Sequence, residues 1–218
     1  MTNAPPAAER LPHGPHGLSR EEVRASQRHR MLEATLVAVG SRGYAATTVA
    51  HVTAQARVSR SAFYEQFADK RDAFLAAYDQ WGHRFFDDLL RIGSRPAPLR
   101  EVVAACGELI IDRGLREPEA ARAFILEVYA TGEVGLQRRE EMLTLGQSLF
   151  HGLAAELRRQ HPDLPPLNPS LGLAVIGASF ELCAQALRHP DDDSLDRVRQ
   201  AVEDLWLLGL TGVPSPLA

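Results

Sequence analysis

The sequence predicts an all-α protein of about nine helices. Apolar residues recur at three- and four-residue intervals along most of the chain. Helix start signals stand at Ser19, Thr48, Ser59, Asp69 and Asn168-Pro169, and stop signals at Gly43 and Gly132. No strand-like alternation, internal repeat or heptad run occurs. At 218 residues the chain is long enough to bury a sizeable core in one or two domains.

Taken in order, residues 1–17 are rich in Pro, Ala, His and Gly without periodicity and read as a flexible arm. Such an arm is either a passive tail or a minor-groove contact. His13 and His16 lie in it without carboxylate or Cys partners, so no metal site is expected there. Ser19 and Glu22 have the spacing of a capping box, with Leu18 and Val23 at the staple positions. The first helix is therefore expected from Arg20 to about Arg42, with Gly43 as a left-handed stop. Met31, Leu32, Leu36 and Val39 face inward, and Arg24, Arg28 and Arg30 face outward.

The stretch from Thr47 to Lys70 carries the functional signal. Thr48 can cap a short second helix that presents Val49, Val52 and Ala56 on one face. Arg57 and Val58 form the turn. Ser59 can cap a third helix, Arg60 to about Gln66, with Phe63 and Phe67 inward. Helices of about two turns do not stand alone. They do stand as a helix-turn-helix, which sets the N-terminal residues of its second helix against base edges. On that helix Arg60, Ser61, Tyr64, Glu65 and Gln66 point away from the phenylalanines. Arg60 can reach guanine or phosphate, and Ser61 and Gln66 can bond bases or backbone. Asp69 reads as the cap of a long fourth helix. Lys70, the only lysine, falls in its first turn, where the helix dipole disfavours a cation. A cation held there beside an aromatic suggests a phosphate contact. The plainer reading is a three-helix packing unit with a solvated basic face.

Gly43-Tyr44, Thr47-Thr48, Val58-Ser59, Phe63-Tyr64, Phe67 and Lys70, at these spacings, resemble the N-terminal domain of the TetR family of regulators. The resemblance covers roughly Arg28 to Tyr78. It implies a dimeric, all-helical, ligand-responsive repressor that binds a palindromic DNA operator. It places Thr48, Arg60, Ser61, Tyr64 and Lys70 at DNA, with Tyr64 and Lys70 on phosphates and Arg60 and Ser61 nearer the bases. Ser59, Glu65 and Gln66 join them on the same face. One position departs from the family pattern: the turn residue, usually Gly, is Arg57. If that position needs positive φ, a non-Gly residue carries strain there; either the turn differs slightly or Arg57 adds a backbone contact.

The rest divides into six further helices. The fourth helix, Lys70 to about Ile92, aligns Phe74, Tyr78, Trp81 and Phe85 in one aromatic stripe. Ser94 to Pro98 breaks it. The fifth runs from Leu99 to Arg113 with Val102, Cys106, Leu109 and Ile110 apolar and Gly114 as the stop. The sixth, Pro118 to Ala130, holds Phe124, Ile125 and Val128 inside. The seventh, Val134 to Gln160, presents Met142, Leu145, Leu149 and Phe150. The eighth starts at Asn168-Pro169 and carries many small residues up to Arg188. Asp191 to Ser194 cap the ninth, which is expected to fray after Gly209.

In that resemblance helices four to seven enclose an effector. The expected pocket residues are Tyr78, Trp81, Phe85, Cys106, Leu109, Phe124 and Phe150, with Glu127 or His83 as the polar handle. The abundance of aromatics suggests a small, largely apolar ligand. Each of these residues has the plainer reading of ordinary core or surface. The eighth and ninth helices are expected to form an isologous homodimer through Val175, Ala178, Leu182, Ala186, Val202, Leu205 and Trp206. The domains are thus an arm (1–17), a DNA-binding head (18–69) and an effector-binding, dimerising body (70–218).

Charge agrees with that division. The net charge is −4, yet residues 1–70 carry nine Lys or Arg against six Asp or Glu, and residues 71–218 carry fifteen against twenty-two. Cys106 and Cys183 lie in apolar helical patterns and read as buried thiols in a reducing cytoplasm. No stretch approaches a membrane span and the N-terminus has no apolar signal core, so a cytoplasmic protein is expected. No phosphate-cradling glycine loop, Cys-x-x-Cys, His-Glu-x-x-His or nucleophile motif occurs, and neither enzyme activity nor a cofactor is expected. The alternative is a helical ligand carrier or enzyme with an incidental helix-turn-helix.

Overall fold

A computed structural model of the chain describes residues 19–189 and 194–212. Among the described residues the fold is all-α, with no strand. The arm, Leu18 and residues 191–193 of the expected α9 cap lie outside the described residues, while Ser194 is the first residue of α9. The helices are α1 (Arg20–Arg42), α2 (Val49–Ala56), α3 (Arg60–Tyr64), α4 (Lys70–Gly93), α5 (Leu99–Arg116), α6 (Pro118–Arg122), α7 (Glu133–Gln160), α8 (Leu171–Arg188) and α9 (Ser194–Thr211).

Four boundaries differ from expectation. α5 runs through Gly114, and the Glu117 amide still donates to the Arg113 carbonyl. An interior glycine costs a helix only about 1 kcal/mol, and an Arg113–Glu117 ion pair spans that turn. Pro118 enforces the break, because it moves the preceding Glu117 out of helical geometry to φ −128°, ψ 55°. The sixth helix is not uniform. After α6 it widens into a π-helical turn at Ala123–Glu127, then tightens into a 3-10 turn at Val128–Thr131, and stops at Gly132 with φ 77°. Asn168-Pro169 forms a turn ahead of α8 rather than its start: the Asn168 side chain accepts from the Ser170 amide at 2.9 Å. α9 does not fray after Gly209, because Leu210 is fully buried and holds the last turn.

α4 is the spine. Its stripe of Phe74, Tyr78, Trp81 and Phe85 is buried, and the helix packs against α1, α5 and α7. α1 also packs closely on α6. At Gly40 the two backbones meet so tightly that a Cβ would fall 1.9 Å from the Glu119 carbonyl oxygen.

α8 corrects one expectation. Among the described residues it is the one helix long and apolar enough to cross a membrane by length and composition, with 18 residues of mean hydropathy 1.3. It is apolar on two sides. One side packs on α7 and α9, and only 33% of its residues are buried in the chain itself.

Candidate DNA-reading face and effector cavity

The head is built from caps and braces. Ser19 Oγ accepts from the Glu22 amide, and Glu22 Oε2 accepts from the Ser19 amide at 2.6 Å. Hydrogen bonding to Ser19, most of all to its backbone amide and then to its side chain, lowers the Glu22 pKa. Thr48 Oγ1 accepts from the His51 amide and His51 Nδ1 from the Thr48 amide, a capping box closed by histidine. Ser59 Oγ accepts from the Ala62 amide at 3.0 Å, and Asp69 Oδ1 from the Asp72 amide at 2.8 Å.

The turn between α2 and α3 is a Schellman-type closure, in which the Val58 amide donates to the Thr53 carbonyl at 3.1 Å. Its left-handed residue is Arg57, at φ 55°, ψ 48°, the only non-glycine with positive φ among the described residues. The Arg30 guanidinium donates to the Ala56 carbonyl at 3.1 Å and covers the open end of α2. The Arg28 guanidinium lies over the Phe67 ring at 4.5 Å. Both arginines brace the head.

With Phe63 and Phe67 buried, α3 turns Arg60, Ser61, Tyr64 and Glu65 to solvent; Tyr64 is 52% exposed. Arg57, Ser59 and Thr48 lie exposed at the neighbouring turn and cap positions. Gln66 departs from the expected face. Its Nε2 donates to the Arg24 carbonyl at 3.1 Å, and its own carbonyl accepts from Arg28, so it clips the end of α3 to α1. Helical projection puts Gln66 outward; the chain bends back at Phe67 and turns it toward α1.

Lys70 has a local explanation that the sequence did not reveal. Its Nζ donates to the Tyr44 carbonyl at 2.6 Å and sits 4.2 Å from the centre of the Tyr44 ring. Both contacts offset the unfavourable dipole. An ammonium has three donors, and this bond uses one.

Glu127 is not in a pocket. It projects from the π-helical turn, and its Oε2 accepts from the Tyr44 amide at 2.7 Å. The Tyr44 peptide groups are therefore held from both sides, by Glu127 of the body at the N–H and by Lys70 at the carbonyl.

The apolar cavity of the body, partly open to solvent, measures about 70 Å³. α4 contributes Trp81 and Phe85, and the widened sixth helix contributes Phe124 and Ile125. α8 and α9 supply Phe180, Cys183, Ala186 and Trp206, while α7, expected to line it, does not. Trp81 stacks on Phe85 at 5.5 Å and tilts against Phe124 at 4.7 Å.

Six expected pocket residues fall elsewhere. Tyr78 stacks behind Phe124 at 4.4 Å, and burial raises its pKa. Phe150 packs edge-on against Trp206. Cys106 is buried in the general core, where burial pushes its thiol up to about 12. Leu109 is half-buried beside it. His83 is exposed and pairs its Nδ1 with the Asp79 carbonyl, and Glu127 serves the joint to the head. Periodicity identifies an apolar helix face. It does not say which residues of that face border an empty space.

Charge reaches the cavity wall at one place, Arg113. Its guanidinium bonds Asp88 of α4 and, at 3.1 Å, Glu117 Oε1. Glu117 Oε2 in turn accepts from the Trp81 indole N–H at 2.6 Å. Ser179 is the polar group of α8 at the wall; it accepts from the Trp206 indole at 3.1 Å and donates to the Val175 carbonyl. Cys183, missed as a cavity residue, has its thiol pushed up to about 12 by burial. A second, open groove of about 700 Å³ lies between the end of α4 and α7, beside Arg95, Leu153 and Glu156.

The expected dimer residues also divide. Val175 and Val202 are buried in the protomer's own core, and Ala186 and Trp206 border the cavity. Ala178, Leu182 and Leu205 are half-buried on the outer surface. Beside them Leu173 and Leu208, not foreseen, are 47% and 43% exposed.

Residues 31–77 match the family of bacterial regulatory proteins, tetR family. No curated protein sequence matches the chain. The fatty acid degradation regulator FadR of Bacillus halodurans superposes with a TM-score of 0.73 at 16% identity, over 85% of this chain and 98% of that one. FadR of Bacillus subtilis, solved with stearoyl-CoA, gives 0.73 at 17% identity, over 83% and 98%. A TetR-family regulator of Pectobacterium atrosepticum gives 0.61 at 23% identity, over 91% and 100%. Residues 31–77 thus carry the sequence pattern of the tetR family of bacterial regulatory proteins, and the chain as a whole shares the all-α fold of solved regulators of that family.

Proposed function

We propose that the protein is a homodimeric repressor that binds a palindromic DNA operator and is released by a small, largely apolar effector. It works by binding rather than by catalysis, in the cytoplasm where its DNA lies. The carrying observation is the α3 surface: Arg60, Ser61, Tyr64 and Glu65 stand exposed on a helix that is capped by Ser59 and clipped to α1 by Gln66. A rigid platform with an arginine in its first turn suits the major groove. Tyr64, Thr48, Arg57 and the remaining donors of Lys70 suit the flanking phosphates. Homodimerisation is supported by the apolar outer strip of α8 and α9, from Leu173 and Ala178 to Leu205 and Leu208. A twofold axis through that strip makes an isologous interface and would present two heads to a palindrome. The effector reading is supported by the apolar cavity, and by the stearoyl-CoA that accompanies the Bacillus subtilis neighbour.

The test is selection of DNA from a random pool by the purified protein. A palindrome is expected, with affinity that falls steeply with salt as phosphate contacts release counterions. Arg60→Ala should cost about 1–3 kcal/mol on the selected site and relax its base preference. Selection of no common sequence, or an Arg60→Ala protein that binds as the parent does, would overturn the assignment.

A further inference from the structure

The cavity holds about 70 Å³, whereas ligand sites commonly need about 300–1,000 Å³. The cavity must therefore widen to seat a ligand of that size, and widening it parts a seam. The seam between α4, α5 and α6 is closed by polar contacts, while the rest of the wall is overwhelmingly apolar. It runs from Arg91 through Asp88, Arg113 and Glu117 to the Trp81 indole. It lies where Pro118 has broken the helix, at the Glu117 corner.

The members of this chain are unequal. Asp88 and Glu117 do not border the cavity; Arg113 does, and it is the charged side chain of the wall. Asp88 keeps a second partner, Arg91, whose side chain is 77% exposed. The Glu117 side chain is 40% exposed and can turn to water. The Arg113 side chain is 22% exposed, and a guanidinium cannot lose its charge. When the seam parts, both carboxylates have somewhere to go and Arg113 does not.

We infer that the effector is an amphipathic organic anion: an apolar body seated among Trp81, Phe124 and Trp206, with an anionic head that replaces Glu117 and Asp88 on Arg113. This rests on the cavity being the effector site. The aromatic wall accounts for the apolar body, and Arg113, the one cation among the described wall residues, for the head. A planar, two-pronged guanidinium suits a carboxylate. Loss of the Glu117 contact also releases the Trp81 indole, so head-group binding is sensed on α4.

The test uses the protein's own fluorescence, since its two tryptophans, Trp81 and Trp206, both border the cavity. The full chain is titrated with decanoate, decanol and decylamine, each below its aggregation threshold. Decanoate is expected to bind about tenfold or more tightly than decanol, the scale of a charge-assisted hydrogen bond. Arg113→Gln should erase that preference and leave decanol binding in place. Glu117→Gln keeps an acceptor for the Trp81 indole and removes the competing charge, so it should tighten decanoate. That gain cannot come from misfolding, and it carries the test if Arg113→Gln does not fold. Equal binding of decanoate and decanol, preference for decylamine, or preference for decanoate that survives Arg113→Gln overturns the anion assignment and leaves the cavity reading standing. No response to any of the three overturns the cavity reading itself.

Discussion

The head and the body of this protein are specified in different ways. Each of the head's helices α1 to α3, and α4 where it leaves the head, opens on a side chain that accepts from its first turn: Ser19, Thr48, Ser59 and Asp69. None of α5 to α8 does; Pro98, Glu117, Gly132 and Ser170 stand at their starts without a side-chain cap bond. In the head, α2 and α3 are too short to exist without local bonds. In the body, long helices are held by burial on more than one face, which fixes position less locally. A reader of DNA gains from a rigid platform, and a ligand-binding body gains from packing that can part and close.

The largest expected effect breaks the head alone. Phe63 is fully buried beneath α3, against Phe67 at 5.4 Å. Phe63→Ala should cost about 3–5 kcal/mol, the range for a fully buried phenylalanine. Both tryptophans lie in the body, so their emission reports the body while far-ultraviolet dichroism reports total helix. Loss of helicity and operator binding with native tryptophan emission is expected. A single transition in both signals would make head and body one cooperative unit and erase the contrast.

Next in size is the joint between the two regions. A methyl at Gly40 collides with the backbone at Glu119, which no rotamer change can relieve. Gly40→Ala should destabilise by about 1–3 kcal/mol through overpacking, more than the gain from alanine's helix propensity. The control is Gly152→Ala on α7, where a Cβ meets nothing within 4 Å and propensity alone should stabilise by up to about 1 kcal/mol. Thermal unfolding of the pair decides it. Equal shifts would mean that α1 and α6 do not meet as closely as the fold requires.

The same contrast explains what was legible in the sequence. Helix starts in the head follow from single residues at fixed spacings, so α1 to α4 were readable almost to the residue. Arg57 stands at the turn position usually held by Gly, and it adopts positive φ, so the turn keeps its geometry with a non-glycine residue. Body boundaries depend on tertiary terms: α5 ignores Gly114 because Arg113 and Glu117 span it, and the widened turn at Ala123–Glu127 has no sequence signal that was read. Trp81, Phe85 and Phe124 were found for the cavity because aromatics on α4 and the sixth helix must face inward. Ala186 and Trp206 were assigned to a dimer seam because α8 and α9 are apolar on two sides, and periodicity does not say which side meets its own chain. Arg113 was missed altogether. An arginine in the last turn of a helix reads as an ordinary dipole partner, and its place at the wall follows from the Pro118 break and from the acceptor that Trp81 needs, both tertiary facts.

Capping tests the comparison at smaller cost. Thr48→Ala and Ser59→Ala each remove a bond that opens a helix of two turns or fewer, and each should lose about 1 kcal/mol. Ser170→Ala removes no cap bond from α8 and should fall within about 0.5 kcal/mol of the parent. Denaturant midpoints at unchanged slope measure all three. If Ser170→Ala costs as much as Ser59→Ala, the body depends on local signals after all.

The smallest effect is at Arg57, and it separates stability from function. A left-handed conformation costs an L-residue about 1–2 kcal/mol, and glycine's extra backbone freedom offsets about 0.5–1 kcal/mol of any relief. Arg57→Gly should therefore stabilise the head by about 0.5–1 kcal/mol, because the turn's geometry is kept and its strain removed. Arg57 is exposed beside the α3 platform, and its guanidinium has a role there only if it meets a phosphate. Operator affinity should then fall while thermal stability rises, and the salt dependence of binding should flatten by about one counterion. A glycine variant that is both more stable and bound as tightly, with the same salt slope, would show the strain to serve nothing at the DNA. A variant that is less stable would mean that the arginine stem packs on the turn strongly enough to outweigh the backbone. That would place the head's rigidity in side-chain packing, as in the body, and remove the difference between the two regions at its most exposed point.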